Sequence, residues 1–111
     1  MSRFSPLPDP PYYAVIFTNQ SSSDQAGYGE MADKMVALAE QQPGFIGVES
    51  TRDDTGLGIT VSYWQDEDAL LAWKAVASHM LAQKVGKDRW YEHYALRVAK
   101  IERQYEGPEG R

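Results

Sequence analysis

FIGVESTRDDTGLGITVSYWQDEDALLAWK, residues 45–74, is the stretch that decides the fold. FIGVEST (45–51) and GITVSYW (58–64) are rich in β-branched and aromatic side chains and read as strands. Between them lies RDDTGLG, whose Asp53-Asp54-Thr55-Gly56 supplies the residue types that a hairpin turn requires. Asp66, Glu67 and Asp68 then concentrate negative charge where a helix begins, which the helix dipole favours. Leu70, Trp73, Ala77 and Met80 continue at helical spacing, Lys84 falls in the last turn, and Gly86 is the candidate C-cap.

Working outward, YYAVIFT (12–18) reads as another strand, followed by the polar loop NQSSSDQAGYG. From about Tyr28 to Gln42 an amphipathic helix is expected, with Met31, Met35 and Leu38 on one face and Pro43-Gly44 as its stop. Downstream, DRWYEHY reads as a short turn of helix and YALRVAKIERQY as a long final strand. The order β-α-β-β-α-β is the ferredoxin-like α+β pattern, with a four-stranded antiparallel sheet. Pro6, Pro8, Pro10 and Pro11 make residues 1–11 an extended arm. Residues 12–105 then form a single domain, and 106–111 a polar tail.

The chain has 111 residues, enough for one core, and no cysteine, so disulfides and thiolate metal sites are excluded. A cytoplasmic location is the expectation that fits. No apolar leader and no apolar run of membrane-spanning length is present, so neither a signal peptide nor a membrane partner is expected. The formal net charge of −5 argues against nucleic acid as a partner, although residues 84–103 carry a local excess of Lys and Arg. The two histidines, His79 and His93, are scattered and make no metal site. Nucleophile-elbow, P-loop and dinucleotide-binding motifs are absent.

In this fold both helices cover one sheet face, and a bare face should alternate strictly between apolar and polar. Here Tyr13, Val15 and Phe17 are interleaved with Tyr12, Ala14 and Ile16, and Tyr94, Leu96 and Val98 with Ala95, Ala99 and Ile101. Two apolar faces call for a second cover, and a second copy stacked about a twofold axis supplies it. A homodimer is therefore expected.

PYYAVIF, the helix ending in PGFIGVES, and GITVSYWQDEDALLAWK together resemble the antibiotic biosynthesis monooxygenase (ABM) superfamily of dimeric α+β barrels. The resemblance covers roughly residues 12–105. It implies a pocket between the helices and the sheet of each subunit. Some such proteins oxygenate polycyclic aromatic molecules with dioxygen and no cofactor, and others bind haem and open its ring.

The haem-degrading members carry an Asn near the end of strand one, a Trp in helix two and an iron-ligating His ten residues later. Asn19 and Trp73 match the first two positions, and Gln83 stands where the ligand would be. An amide is a poor haem ligand, so the resemblance favours cofactor-independent oxygenation of a flat aromatic small molecule over haem chemistry. Asn19 is then the candidate donor to a developing oxyanion, Trp73 an aromatic wall, and His79 the candidate proton acceptor. His79 lies about 120° from Trp73 around a regular helix, so sharing a pocket with it requires a break in the helix. Tyr63, Gln83 and Trp90 are the expected further pocket walls. A non-catalytic binding dimer is the rival reading, in which replacing Asn19 or His79 leaves ligand affinity unchanged.

Overall fold

The computed structural model describes residues 4–21, 35–87 and 91–108, with the side chains of residues 21, 80–87, 91 and 92 outside that description. Four strands, β1 (Tyr12–Ser21), β2 (Phe45–Arg52), β3 (Leu57–Trp64) and β4 (Tyr91–Ile101), form one sheet in the order β2-β3-β1-β4. Every neighbouring pair is antiparallel. Residues 35–40 belong to the first helix, α1, and Glu67–Lys87 form α2. This is the ferredoxin-like arrangement expected from the order of periods.

The hairpin is built as its sequence suggests. One carboxylate oxygen of Asp53 accepts from the Thr55 amide at 2.9 Å, the Thr55 hydroxyl at 2.7 Å and the Leu57 amide at 3.0 Å. Gly56 takes φ 93°, a backbone state that side chains resist. These bonds, led by that from the Thr55 hydroxyl, pull the Asp53 pKa below its ordinary value. A lowered carboxylate contributes stability above the ordinary range that is lost as pH falls through its folded value. Asp66 caps α2, accepting from the Ala69 amide at 2.8 Å. Gly44, at φ 82°, seats the preceding turn against that helix start: a Cβ on it would stand 2.5 Å from the Ala69 Cβ.

Three boundaries differ from the sequence reading. Tyr91–Tyr94, expected as a helical turn, are already strand, because β1 extends to Ser21 and offers them partners through a register shift at Gln20/Ser21. At its other end β4 stops at Ile101 rather than reaching Tyr105. Gly86 lies inside α2 rather than capping it, a placement that costs a helix about 1 kcal/mol relative to Ala and is tolerated in long ones. The NQSSSDQAGYG loop beyond Ser21, the start of the first helix with Met31, and Asp88–Trp90 fall outside the described residues.

The core joins the sheet to α1 and α2: Val15, Ala39, Trp64, Leu70, Trp73 and Ala77 are all buried. Trp64 and Leu70 are completely enclosed. Trp73 stacks on Trp64 with ring centroids 5.8 Å apart, and Phe45 meets Trp64 edge-on at 5.6 Å. The Trp64 indole N–H is satisfied by the Ser62 hydroxyl at 3.0 Å. Among the described residues no helix is long and apolar enough to cross a membrane.

The face away from the helices is also largely apolar. Leu57 and Ile59 are 44% and 41% exposed there, beside half-buried Ile16, Val61, Ala99 and Ile101. Part of the sheet is covered by the chain itself, since the arm folds back against β2. The Ser5 hydroxyl accepts from the Val48 amide at 3.0 Å and donates to the Val48 carbonyl at 2.8 Å, completing the free edge of that strand.

Candidate functional site

Alternation along the strands sends Val15, Phe17 and Asn19 of β1 to the helix side, and register brings three cross-strand rows beneath the helices. The first row is Val48, Ser62 and Val15, and the second is Ser50, Thr60 and Phe17. The third is Arg52, Gly58 and Asn19. These rows floor a cavity of about 190 Å³, roofed by Met35, Val36 and Ala39 of α1 and by Trp73 and Ala77 of α2, with Leu96 of β4 closing the side. Apart from Ser62, the walls are apolar except at the hairpin end, where the Asn19, Arg52, Ser50 and Thr60 side chains gather.

The third row has a built geometry. Asn19 is 2% exposed. The Arg52 guanidinium reaches over β3 and donates to the Asn19 side-chain oxygen, and it also donates to the Gly56 carbonyl. Gly58 leaves that lane clear: a Cβ at that position would lie 2.7 Å from the guanidinium carbon, which would have to shift. Arginine has no acceptor, so the atom of Asn19 that faces it is the oxygen. The amide N–H groups of Asn19 are therefore the donors that it offers to the cavity wall, and a charge-assisted bond on its carbonyl strengthens them. Ser50 and Thr60 hydroxyls pair at 2.6 Å in the adjoining row.

The expected site residues divide clearly. Asn19 and Trp73 are brought together by the fold, both lining the cavity. Tyr63 is not: it follows Ser62 on the strand, so its ring turns to the opposite sheet face. There it meets Tyr12 edge-on at 5.9 Å and donates to Glu49 at 2.7 Å. Burial, then the Glu49 hydrogen bond and charge, push the Tyr63 pKa well above the ordinary tyrosine value. Burial followed by the charges of Glu49 and Glu106 raise Tyr12 as well. His79 lies on the continuous α2, exposed and outside the cavity lining, because no break rotates it toward Trp73. The Gln83 side chain and Trp90 lie outside the described residues.

Arg52 was not among the residues singled out from the sequence. The available signal was Gly58, a glycine early in an otherwise β-branched strand, which marks a place where another group crosses closely. Among the described residues no group of His, Cys, Asp and Glu is arranged to hold a metal ion.

A family model described as antibiotic biosynthesis monooxygenase matches residues 11–85. An uncharacterized protein of Bacillus subtilis, YqjZ, is 53% identical over 104 residues, covering 94% of this chain and 91% of that protein. The jasmonate monooxygenase ABM of Pyricularia oryzae is 40% identical over 94 residues, covering 80% of this chain. This chain matches 43% of that enzyme's length. Among solved structures, SnoaB, a cofactor-independent oxygenase from Streptomyces nogalater, superposes with a TM-score of 0.65 at 14% identity, over 90% of this chain and all of that one. NE2512 from Nitrosomonas europaea, a protein of unknown function, gives 0.70 at 12% identity, over 90% and 97%. At such identities the structural likenesses establish the fold.

Proposed function

This chain belongs to the antibiotic biosynthesis monooxygenase family, and from that premise we propose that it oxygenates a flat, largely apolar aromatic molecule held between sheet and helices. The observation that carries the reading is Asn19, a buried amide at the polar end of an otherwise apolar cavity, its carbonyl held by Arg52. Monooxygenase activity is supported by the jasmonate monooxygenase among the relatives, and independence from a cofactor by the likeness to SnoaB.

The chemistry suited to such a wall begins with a substrate anion. An activated ring CH₂ loses a proton to water, the carbanion passes one electron to dioxygen and the resulting radical pair combines into a C–O bond, and the peroxide anion takes a proton back. The peroxide then eliminates water to leave a ketone, so that one oxygen atom enters the product and the other leaves as water. Asn19 would donate to the oxygen on which negative charge develops, a preorganised dipole in an environment of low polarity. Trp73 would lie against the ring. With His79 exposed, proton acceptance by it is no part of the proposal. The residues described do not fit haem ligation, since no imidazole lines the cavity among them, and no step is routed through haem.

The active unit is proposed to be a homodimer with the outer sheet faces stacked, which would cover Leu57, Ile59 and their half-buried neighbours. A haemin titration read by absorbance, with the mass checked on the same sample, tests both parts. The proposal expects a dimer mass and no saturable Soret shift, followed by oxygen uptake with anthrone- or quinol-like compounds. A sharp shift saturating at one haem per subunit would overturn the cofactor-independent reading.

A further inference from the structure

We infer that the hydroxyl pair of Ser50 and Thr60 is a proton relay, which carries the proton of the substrate's activated CH₂ from the cavity to bulk water and returns one to the peroxide anion. The inference rests on the oxygenase reading of the cavity, and it names the residues through which that reaction would exchange protons with solvent.

Few groups in the cavity are able to pass a proton on. The described lining residues include no imidazole, carboxylate or phenol. The N–H groups of Asn19 and Arg52 donate and do not accept. A hydroxyl does both at once, which is the property a relay requires. Ser62 carries one, but it is buried and accepts from the Trp64 indole N–H, so it does not lead to solvent. Ser50 and Thr60 differ in both respects. Their oxygens lie 2.6 Å apart, at the short end of the range for O–H···O bonds. Both line the cavity, and Thr60 is half-buried while Ser50 is exposed. Two hydroxyls in contact thus run from the cavity wall to the surface. Strand register places the inner one beside the oxyanion donor: Thr60 faces Phe17 and Gly58 faces Asn19, so Thr60 and Asn19 are diagonal neighbours about 7–8 Å apart. One ring can touch both.

The transfers balance. The C–H bond breaks and its proton passes to Thr60 Oγ1, while the Thr60 hydrogen passes to Ser50 Oγ and the Ser50 hydrogen to water. The electron pair stays on carbon, available to dioxygen. Both hydroxyls end neutral, with Ser50 now donating to Thr60 and Thr60 donating into the cavity. From that orientation Thr60 gives a proton to the peroxide anion, Ser50 replaces it, and water replaces the Ser50 hydrogen. The return pass therefore resets the pair. Both directions suit the geometry, since either oxygen of the pair can be the donor.

Excluding dioxygen isolates the proton step for a test. Anthrone is incubated anaerobically with the protein in D₂O, and replacement of its CH₂ hydrogens by deuterium is followed by NMR over a range of anthrone concentrations. The unmodified protein is expected to exchange them at least tenfold faster than buffer. Thr60→Val, which keeps the side-chain shape and removes the hydroxyl, should lower the rate at saturation about tenfold or more. Ser50→Ala, at an exposed position, should lower it about as far, and Thr60→Ser should keep most of it. The double variant should be no slower than either single one, because breaking one link of a series breaks the whole. Anthrone affinity should stay within about twofold throughout. Unchanged exchange in both single variants, or losses that multiply in the double variant, would overturn the relay and leave the site reading standing. A loss of affinity with the saturated rate intact would make the pair a binding contact and not a relay. Saturable anthrone binding without any acceleration of exchange would overturn the relay alone, and absence of binding would overturn it together with the site reading.

Discussion

The two faces of the sheet place their polar groups differently. On the face away from the helices, Tyr63 donates to Glu49, whose other oxygen accepts from the Ser5 amide at 3.0 Å, and Tyr12 donates to Gln104. Each group there meets another from the same chain, tying the arm and the tail to the sheet. On the helix face, Asn19 is more deeply buried than Tyr63 or Glu49, and it lines a cavity. The first arrangement closes on itself, as buried polar groups in a stable fold generally do. The second, under the proposed function, leaves the Asn19 amide N–H groups for a ligand. Burial alone does not distinguish a site from a clasp; what lies beyond the polar atom does.

Substitutions can sharpen or break this contrast. Trp73→Ala removes a side chain shared by core and cavity, and should destabilise the fold by about 3–5 kcal/mol in denaturant unfolding. A loss below 1 kcal/mol would mean that Trp73 is wall and not core. Asn19→Ala should lower oxygenase turnover by about 10²–10³-fold, the typical cost of losing one oxyanion donor. Its unfolding midpoint should move less than that of Trp73→Ala, and the reverse ordering would make Asn19 structural.

On the opposite face, Tyr63→Phe strips Glu49 of a hydrogen bond, which should destabilise the fold by about 1 kcal/mol without altering ligand affinity. The pH dependence carries a defined sign. A tyrosine pKa raised by folding contributes stability that is complete below the unfolded value, about 10, and is lost as pH rises through the folded one. The unmodified protein should therefore lose stability above pH 10 more steeply than Tyr63→Phe, as alkaline unfolding curves of the two would reveal. His79→Ala should be nearly silent, within about 0.5 kcal/mol in stability and less than twofold in turnover. A tenfold loss of turnover would restore the proton-accepting role expected from the sequence.

The order of elements was legible because each strand and helix carries its own period, and because Asp53, Asp66 and Gly44 are local signals with local consequences. Asn19 and Trp73 were singled out through family resemblance, and the fold places both at the cavity. Tyr63 was misread although strand alternation could have placed it: it is adjacent to Ser62, and adjacent residues on a strand face opposite ways. His79 was a question of helical phase, and the 120° separation from Trp73 held because α2 runs unbroken. Arg52 was invisible for a different reason. Its place depends on the register of three strands, so that Arg52, Gly58 and Asn19 align across β2, β3 and β1. No window of sequence contains that row.

Oxygen uptake with anthrone- and quinol-like compounds, in chelator-treated protein without added haem, tests the central claim most directly when the unmodified chain and Asn19→Ala are compared. The expected result is uptake of one dioxygen per substrate converted, reduced at least a hundredfold by the substitution. Uptake no faster than in buffer, or equally fast without the Asn19 amide, would contradict it.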